Sequence, residues 1–247
     1  MVIHVVQPGD SLYRIAQLHS VPLTFLIQQN ELHEPYRLTP GQTIVVPQPE
    51  KTYIVRRGDT LGSIAAQNGT TVMQLWQNNP QLGGTDRIQP GQMLVLSYGN
   101  KLGRFAVNGY AYPSINTNSL NCVLPFLTFL SPFSYKLTPT AELVSPDDSD
   151  LIFRAQRSAV MPIMVVTNIF DEGFSTEVLS VILASEELQE RLIGNILSEL
   201  TGKNYYGVNM DIEYIAPDDR ERYNAFLERL TERLHNEGFI VMSALAP

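Results

Sequence analysis

Residues 205–214 read YYGVNMDIEY. An apolar, β-branched run of this kind predicts a strand, in which Asp211 and Glu213, two apart, face the same way. Asn209 shares their face, while Val208, Met210 and Ile212 share the other. Two carboxylates on one face of so apolar a strand are costly to bury. The flanking run is too apolar for an exposed edge. A metal site calls for histidine or further oxygen ligands, and His4, His19, His33 and His235 all lie outside the predicted strand ends. The pattern points to acid catalysis, with no metal and no cofactor.

Working outward, strands are predicted at 105–112, 126–131, 161–167, 206–212 and 239–245. The run MPIMVVT is almost continuously apolar, as a parallel strand covered on both faces should be. Helical patterns lie between the strands. Residues 175–200 hold two helices with a break near Ser185. In 217–237, Pro217 suits a first turn and Asp218 and Asp219 suit the positive end of the dipole. There Tyr223, Phe226, Leu227, Leu230 and Leu234 make one stripe, and Gly238 is the stop. Strands alternating with helices indicate parallel β/α units. Such folds gather their chemistry at the carboxyl ends of the strands, and Glu213 sits at or just beyond one.

The first hundred residues repeat. IHVVQPGDSLYRIAQLHSVPLTFLIQQN, from Ile3, aligns with TYIVRRGDTLGSIAAQNGTTVMQLWQNN, from Thr52. Gly9, Asp10, Ser11, Leu12, Ile15 and Ala16 match Gly58, Asp59, Thr60, Leu61, Ile64 and Ala65. Pro40-Gly41-Gln42 matches Pro90-Gly91-Gln92, one residue further out of step. A repeat in register is a strong organisational signal. Each unit reads as a short strand (4–6, 53–55), a Gly-Asp turn, a helix and a second helix (about 23–29 and 72–78). A Pro-Gly turn then leads to a closing strand (43–46, 93–96). Leu12, Ile15 and Ala16 supply the apolar stripe of the first helix. Its cap is Asp10 or Ser11 in one unit, Asp59 or Thr60 in the other. A βααβ unit of under 50 residues has a small core and no cavity for chemistry, so it reads as a binding module.

The chain has 247 residues, room for more than one domain. Its net charge of −8 argues against nucleic acid or an anionic membrane as the main partner. No run approaches 18 uninterrupted apolar residues, and MVIHVVQPGD lacks the features of a secretory signal. The single cysteine, Cys122, reads as a small core or strand-end residue rather than a nucleophile. Residues 98–104 read as a linker.

The repeats resemble LysM modules, through the GDSL and GDTL turns, Asn30 and Asn78-Asn79, and PGQ before the last strand. The resemblance implies binding of N-acetylglucosamine-containing glycans, peptidoglycan or chitin. It places the sugar at Gly9, Asp10, Ser11, Leu12 and Leu38, and at Gly58, Asp59, Thr60, Leu61 and Ile88. Asp10 and Asp59 have a second reading as helix caps alone, and Leu12 and Leu61 as core. Two weak sites on one chain gain avidity on a polymer.

YYGVNMDIEY resembles the fourth-strand signature D-G-x-D-x-D-x-E of glycoside hydrolase family 18. Gly207, Asp211 and Glu213 match it, while Tyr206 and Asn209 stand where its first two aspartates would be. That version, together with NGYAYP and MSALAP, resembles LysM-bearing spore-cortex-lytic N-acetylglucosaminidases. The resemblance implies that Glu213 is the acid, that Asp211 orients the substrate acetamido group and that Asn209 hydrogen-bonds Asp211. Glu213 is then expected to have a raised pKa, from burial and the Asp211 charge. Tyr214 and Tyr110 are expected to contact sugar, Tyr110 having core packing as its other reading. The expected partner is a peptidoglycan or chitin-like polymer, and the expected place the spore coat, cortex or cell wall. A chitinase, or a glycan-binding protein with an inactive barrel, are the alternatives.

The expected organisation is a LysM module at 1–49, a second at 50–98, and a (β/α)8 TIM barrel from 99–247. A closed barrel takes ~250 residues and about 145 follow the linker, so only about its first five strands are expected in this chain.

Overall fold

The computed structural model describes residues 2–245 except 31, 35, 100–102, 104 and 172. It divides into two compact units, Met1–Arg104 and Phe105–Pro247. Part of the expected linker, and the last two residues of MSALAP, lie outside the described residues.

The first unit holds the two repeats. One runs β1 (Val2–Val5), α1 (Leu12–Leu18), α2 (Leu23–Gln29), β2 (Thr43–Val46); the other β3 (Pro49–Ile54), α3 (Leu61–Gln67), α4 (Val72–Asn78), β4 (Met93–Tyr98). Each closes an antiparallel strand pair, β1 with β2 and β3 with β4. Each has its own core. Leu12, Ile15, Ala16, Leu26, Ile44 and Val46 fill one, and Leu61, Ile64, Ala65, Leu75, Leu94 and Leu96 the other.

The caps are Ser11 and Thr60. Ser11 Oγ accepts from the Arg14 N–H, and Thr60 and Ser63 exchange bonds as a capping box. The two aspartates instead lock the turn before the helix. Asp10 Oδ2 accepts from the Gln7 N–H at 2.8 Å, and Asp59 Oδ2 from the Arg56 N–H at 2.7 Å. Gly9 and Gly58 sit at φ of 89° and 92° inside these turns, a conformation open to glycine. Asn30 and Asn79 have equivalent jobs. Asn79 Nδ2 donates to the Leu75 and Val95 carbonyls while its Oδ1 accepts from the Val95 N–H. The side-chain amide thus satisfies the free edge of a two-stranded sheet and docks the second helix on it. Asn30 does the same against Leu26 and Val45.

In the second unit the elements run β5 (Asn108–Ala111), α5 (Thr117–Val123), β6 (Phe129–Pro132), β7 (Tyr135–Leu137), β8 (Leu143–Val144) and α6 (Ser149–Arg157). There follow β9 (Met161–Thr167), β10 (Ile169–Phe170), β11 (Gly173–Phe174), α7 (Thr176–Leu183), α8 (Glu186–Gly202), β12 (Gly207–Asp211), α9 (Arg220–Asn236) and β13 (Ile240–Ser243). The sheet order is β5-β6-β9-β12-β13, each neighbour parallel. This is a parallel β/α succession with its strands in chain order, as the first part of a barrel requires.

Val208 and Met210 of β12 join Met164 and Val166 of β9 in the core beneath the helices, with Ile196, Phe226 and Leu230. Asn209 and Asp211, on the other face, pair in register with Val165 and Thr167. Ser185 breaks the α7–α8 run by capping α8, its Oγ accepting from the Leu188 N–H. The two hairpins, β7–β8 and β10–β11, and the helices α5 and α6 were not expected. Cys122 is exposed on α5 rather than packed in a core; its helix shows only Leu120 to the interior.

Candidate active site

The carboxyl ends of β5, β6, β9 and β12 gather side chains that are far apart in sequence. β5 presents Tyr110, whose register partner on β6 is Ser131. Just beyond these ends lie Tyr112 and Phe133. The rings make edge contacts, Phe133 at 6.2 Å from Tyr110 and 5.3 Å from Tyr112. Together with Ala111 and Asp211 they line a cleft of about 320 Å³. Tyr110 and Tyr112 are half to two-thirds exposed, 50 % and 65 %. That exposure decides between the two readings of Tyr110, because its ring is not core. Exposed aromatic faces beside a carboxylate are suited to stacking on a sugar ring.

Asn209 is buried on the same face and its Nδ2 donates to the Tyr110 hydroxyl at 2.5 Å. The expected bond to Asp211 is therefore replaced by one that ties β12 to β5. The reason is reach: the tyrosine hydroxyl extends across the sheet to a buried amide that would otherwise lack a partner. Asp211 is half-buried at the end of β12. Burial first, and then the negative charge of Glu213, push its carboxyl above its ordinary value of 3.8. Glu213 lies two residues beyond the strand, half-buried, with its main chain held by Asn168.

Tyr214 stands apart from this cleft. It is 71 % exposed and its ring meets Phe174 of the β10–β11 hairpin at 6.3 Å. Sequence reasoning missed Tyr112, Phe133 and Asn168. NGYAYP contains the first of these and could have flagged it; Phe133 follows a strand whose predicted end fell one residue short, and Asn168 follows the strand 161–167 with no motif to mark it.

In the repeats, the predicted glycan residues divide. The side chains of Leu12 and Leu61 are core, 5 % and 1 % exposed, and offer no contact surface. They are the first residues of helices whose apolar stripe fills so small a domain. Leu38 and Ile88 pack half-buried against the same two cores. Ser11 and Thr60 are occupied as caps, and Asp10 and Asp59 as turn locks. What remains at the surface around Gly9 and Gly58 is main chain, the Gly9 carbonyl accepting from Arg14 Nη1 at 3.1 Å.

Residues 4–47 and 53–97 match the LysM domain family. The cortical fragment-lytic enzyme of Bacillus subtilis is 34 % identical over 79 % of this chain and 58 % of that protein. The crystal structure of the Bacillus cereus spore cortex-lytic enzyme SleL matches with a TM-score of 0.74 and 30 % identity, over 100 % of this chain and 58 % of that one. A chitinase from Chromobacterium violaceum matches with a TM-score of 0.50 and 20 % identity, over 56 % of this chain and 45 % of its own. This last likeness concerns the fold alone. The chain spans 58 % of the length of the two spore proteins.

Proposed function

This chain is a homologue of the spore cortex-lytic enzymes and carries two LysM domains, and from that premise we propose that it belongs to a peptidoglycan hydrolase of the spore cortex. The observation that carries the reading is the Asp211–Glu213 pair, set at a strand end beside an aromatic cleft, with carboxylates that accept no hydrogen bond among the described residues.

Glu213 protonates the leaving glycosidic oxygen and then serves as base for the attacking water. The nucleophile is the substrate's own acetamido oxygen, a known departure from the two-carboxylate scheme of most glycosidases. Asp211 orients that acetamido group and, once ionised, stabilises the positive charge of the cyclic intermediate. As a carboxylate it accepts from the acetamido N–H, which turns the acetamido oxygen toward the reacting carbon. Asn209 fixes Tyr110, and Tyr110 supplies a wall for the sugar. The sugar before the cut must carry an acetamido group. Muramic lactam lacks one, so cleavage follows N-acetylglucosamine.

The LysM domains hold the enzyme on its polymer. The turns at Gly9 and Gly58 present main-chain groups suited to an acetamido group, and two such sites on one chain raise avidity. On this reading the protein works at the spore cortex or cell wall.

Product analysis tests the reading. New reducing ends on N-acetylglucosamine from cortex muropeptides, abolished by Glu213→Gln while peptidoglycan binding persists, are expected. Cleavage of chitin oligomers alone, or binding to both polymers with release from neither, would overturn it.

A further inference from the structure

Glu213 lies beyond the reach of the sheet. The last ladder residue of β12 is Asp211, paired with Thr167 of β9. β9 ends there too, and its next residue, Asn168, leads into the β10–β11 hairpin. At this point a side chain takes over from main-chain pairing. Asn168 Nδ2 donates to the Glu213 carbonyl at 2.8 Å, and Asn168 Oδ1 accepts from the Glu213 N–H at 3.0 Å. One amide that both gives to and receives from a single residue stands in for the peptide of a neighbouring strand. Its orientation follows from the partners, since the N–H can only donate and the carbonyl only accept.

Asn168 is itself immobilised. It is fully buried. Its Nδ2 also donates to the Ser175 carbonyl at 3.1 Å, and the Ser175 N–H donates to the Asn168 carbonyl at 2.8 Å. These bonds anchor it to the start of α7. The residue after Glu213 is fixed as well. Tyr214 has a φ of 54°, in the left-handed region that aromatic residues seldom occupy. Its carbonyl accepts from Thr176 Oγ1 at 2.7 Å. The turn that carries Glu213 off the end of β12 is therefore held by three bonds from two side chains, Asn168 and Thr176.

We propose that Asn168 is a positioning residue for the proton-transfer step, acting through the main chain of Glu213. It touches neither substrate nor the reacting carboxyl. It sets the direction in which the Glu213 side chain leaves the backbone, and Thr176 does so to a lesser degree from the other side. The inference rests on the reading of Glu213 as the proton donor.

Two readouts test it: kcat and KM on cortex muropeptides, and hydrogen exchange at the Glu213 main-chain amide. Asn168→Ala is expected to lower kcat by about 10²-fold, the scale of a misplacement of about 1 Å, with KM within about two-fold of wild type. The Glu213 amide should exchange at least about ten-fold faster, because its acceptor is gone. Thr176→Val, which keeps shape and removes the hydroxyl, should lower kcat by about three-fold. Turnover retained in Glu213→Gln would remove the premise. An inactive Glu213→Gln beside an Asn168→Ala variant with wild-type kcat, or with unchanged Glu213 amide exchange, would overturn the positioning role alone. Where Asn168→Ala does not fold, the same measurements on Thr176→Val decide, and an unchanged kcat there overturns the proposal.

Discussion

Asp10 and Asp59 in the repeats aim their carboxylates at their own turns, each accepting a main-chain N–H three residues back and a side-chain donor, His4 in one case and Tyr53 in the other. Asp211 and Glu213 at the end of β12 accept no hydrogen bond among the described residues. All four acids lie at or just beyond the ends of short strands, in motifs that stand out in the sequence. The difference lies in what the carboxylate is spent on. A carboxylate satisfied by its own chain builds structure, and at Asp10 the folded-state pKa falls. One left unsatisfied and half-buried is destabilised as an anion, and at Asp211 the pKa rises. An acid of the second kind is available to a substrate.

The largest expected effect that tests this contrast is Glu213→Gln, which keeps shape and removes the proton. Hydrolysis should fall by about 10²–10⁴-fold, the usual contribution of a general acid, or below detection. Peptidoglycan binding by the repeats should not change. Loss of binding in a sedimentation assay would show that the two units do not divide the work as proposed. Next in size is Gly207→Ala. A Cβ there would lie 2.2 Å from the Ile240 carbonyl oxygen and 2.5 Å from Ile240 Cγ1. Backbone must move to admit it, at a cost of about 1–3 kcal/mol. The α/β unit should melt several degrees lower while the repeats are unaffected. An unchanged melting curve would mean that β12 and β13 are less tightly apposed than they stand here.

The repeats were legible because two copies in register reveal which positions matter. Their elements follow from caps, stripes and the Pro-Gly turn. What misled was the role of the acid. A Gly-Asp-Ser/Thr run offers two candidate caps, and the choice depends on the turn conformation at Gly9 and Gly58, which periodicity does not encode. In the α/β unit, β9 was legible to the residue, because a central strand is apolar on both faces. The edges of the other strands drifted by one to three residues, where propensity runs past the last ladder bond. The hairpins at 135–144 and 169–174 carry no periodic signal, being two or three residues per strand. Asn209 was identified as part of the site but given the wrong partner. Its bond to Tyr110 spans 99 residues of sequence and is a product of the sheet order alone.

A smaller effect is expected from Asp59→Ala. It removes an acceptor from the Arg56 N–H and from the Tyr53 hydroxyl. The repeats should melt about 5 °C lower, the scale of one net hydrogen bond in a domain of this size. Asp10→Ala should behave alike at neutral pH but respond to acid. The Gln7 N–H first, and then His4, hold the Asp10 carboxyl below its ordinary value of 3.8. A depressed folded pKa stabilises above the unfolded value, and that stabilisation fades as pH falls through the folded one. The difference between wild type and Asp10→Ala should therefore shrink below about pH 3.8. A difference independent of pH would mean that the carboxylate does not lock the turn.

The smallest effect has the opposite sign. Asp211 is raised above its ordinary 3.8, by burial first and the charge of Glu213 second. The folded protein therefore binds this proton more tightly than the unfolded chain does. Stability contributed by the group is complete below the unfolded pKa and is lost as pH rises through the folded one. At neutral pH the ionised carboxylate is a net cost, and removing its charge should relieve it. Asp211→Asn is expected to abolish hydrolysis while raising the melting temperature slightly at pH 7. The gain should vanish near pH 3.8, where the native group is already protonated. The exposed fraction of the side chain keeps the gain small through solvent screening. A catalytic acid and a turn-locking acid thus make opposite forecasts for the same kind of change, since neutralising Asp59 or Asp10 should destabilise where neutralising Asp211 should stabilise. If Asp211→Asn melts lower than wild type at pH 7, the carboxylate has a structural partner and the contrast between the two pairs of acids fails.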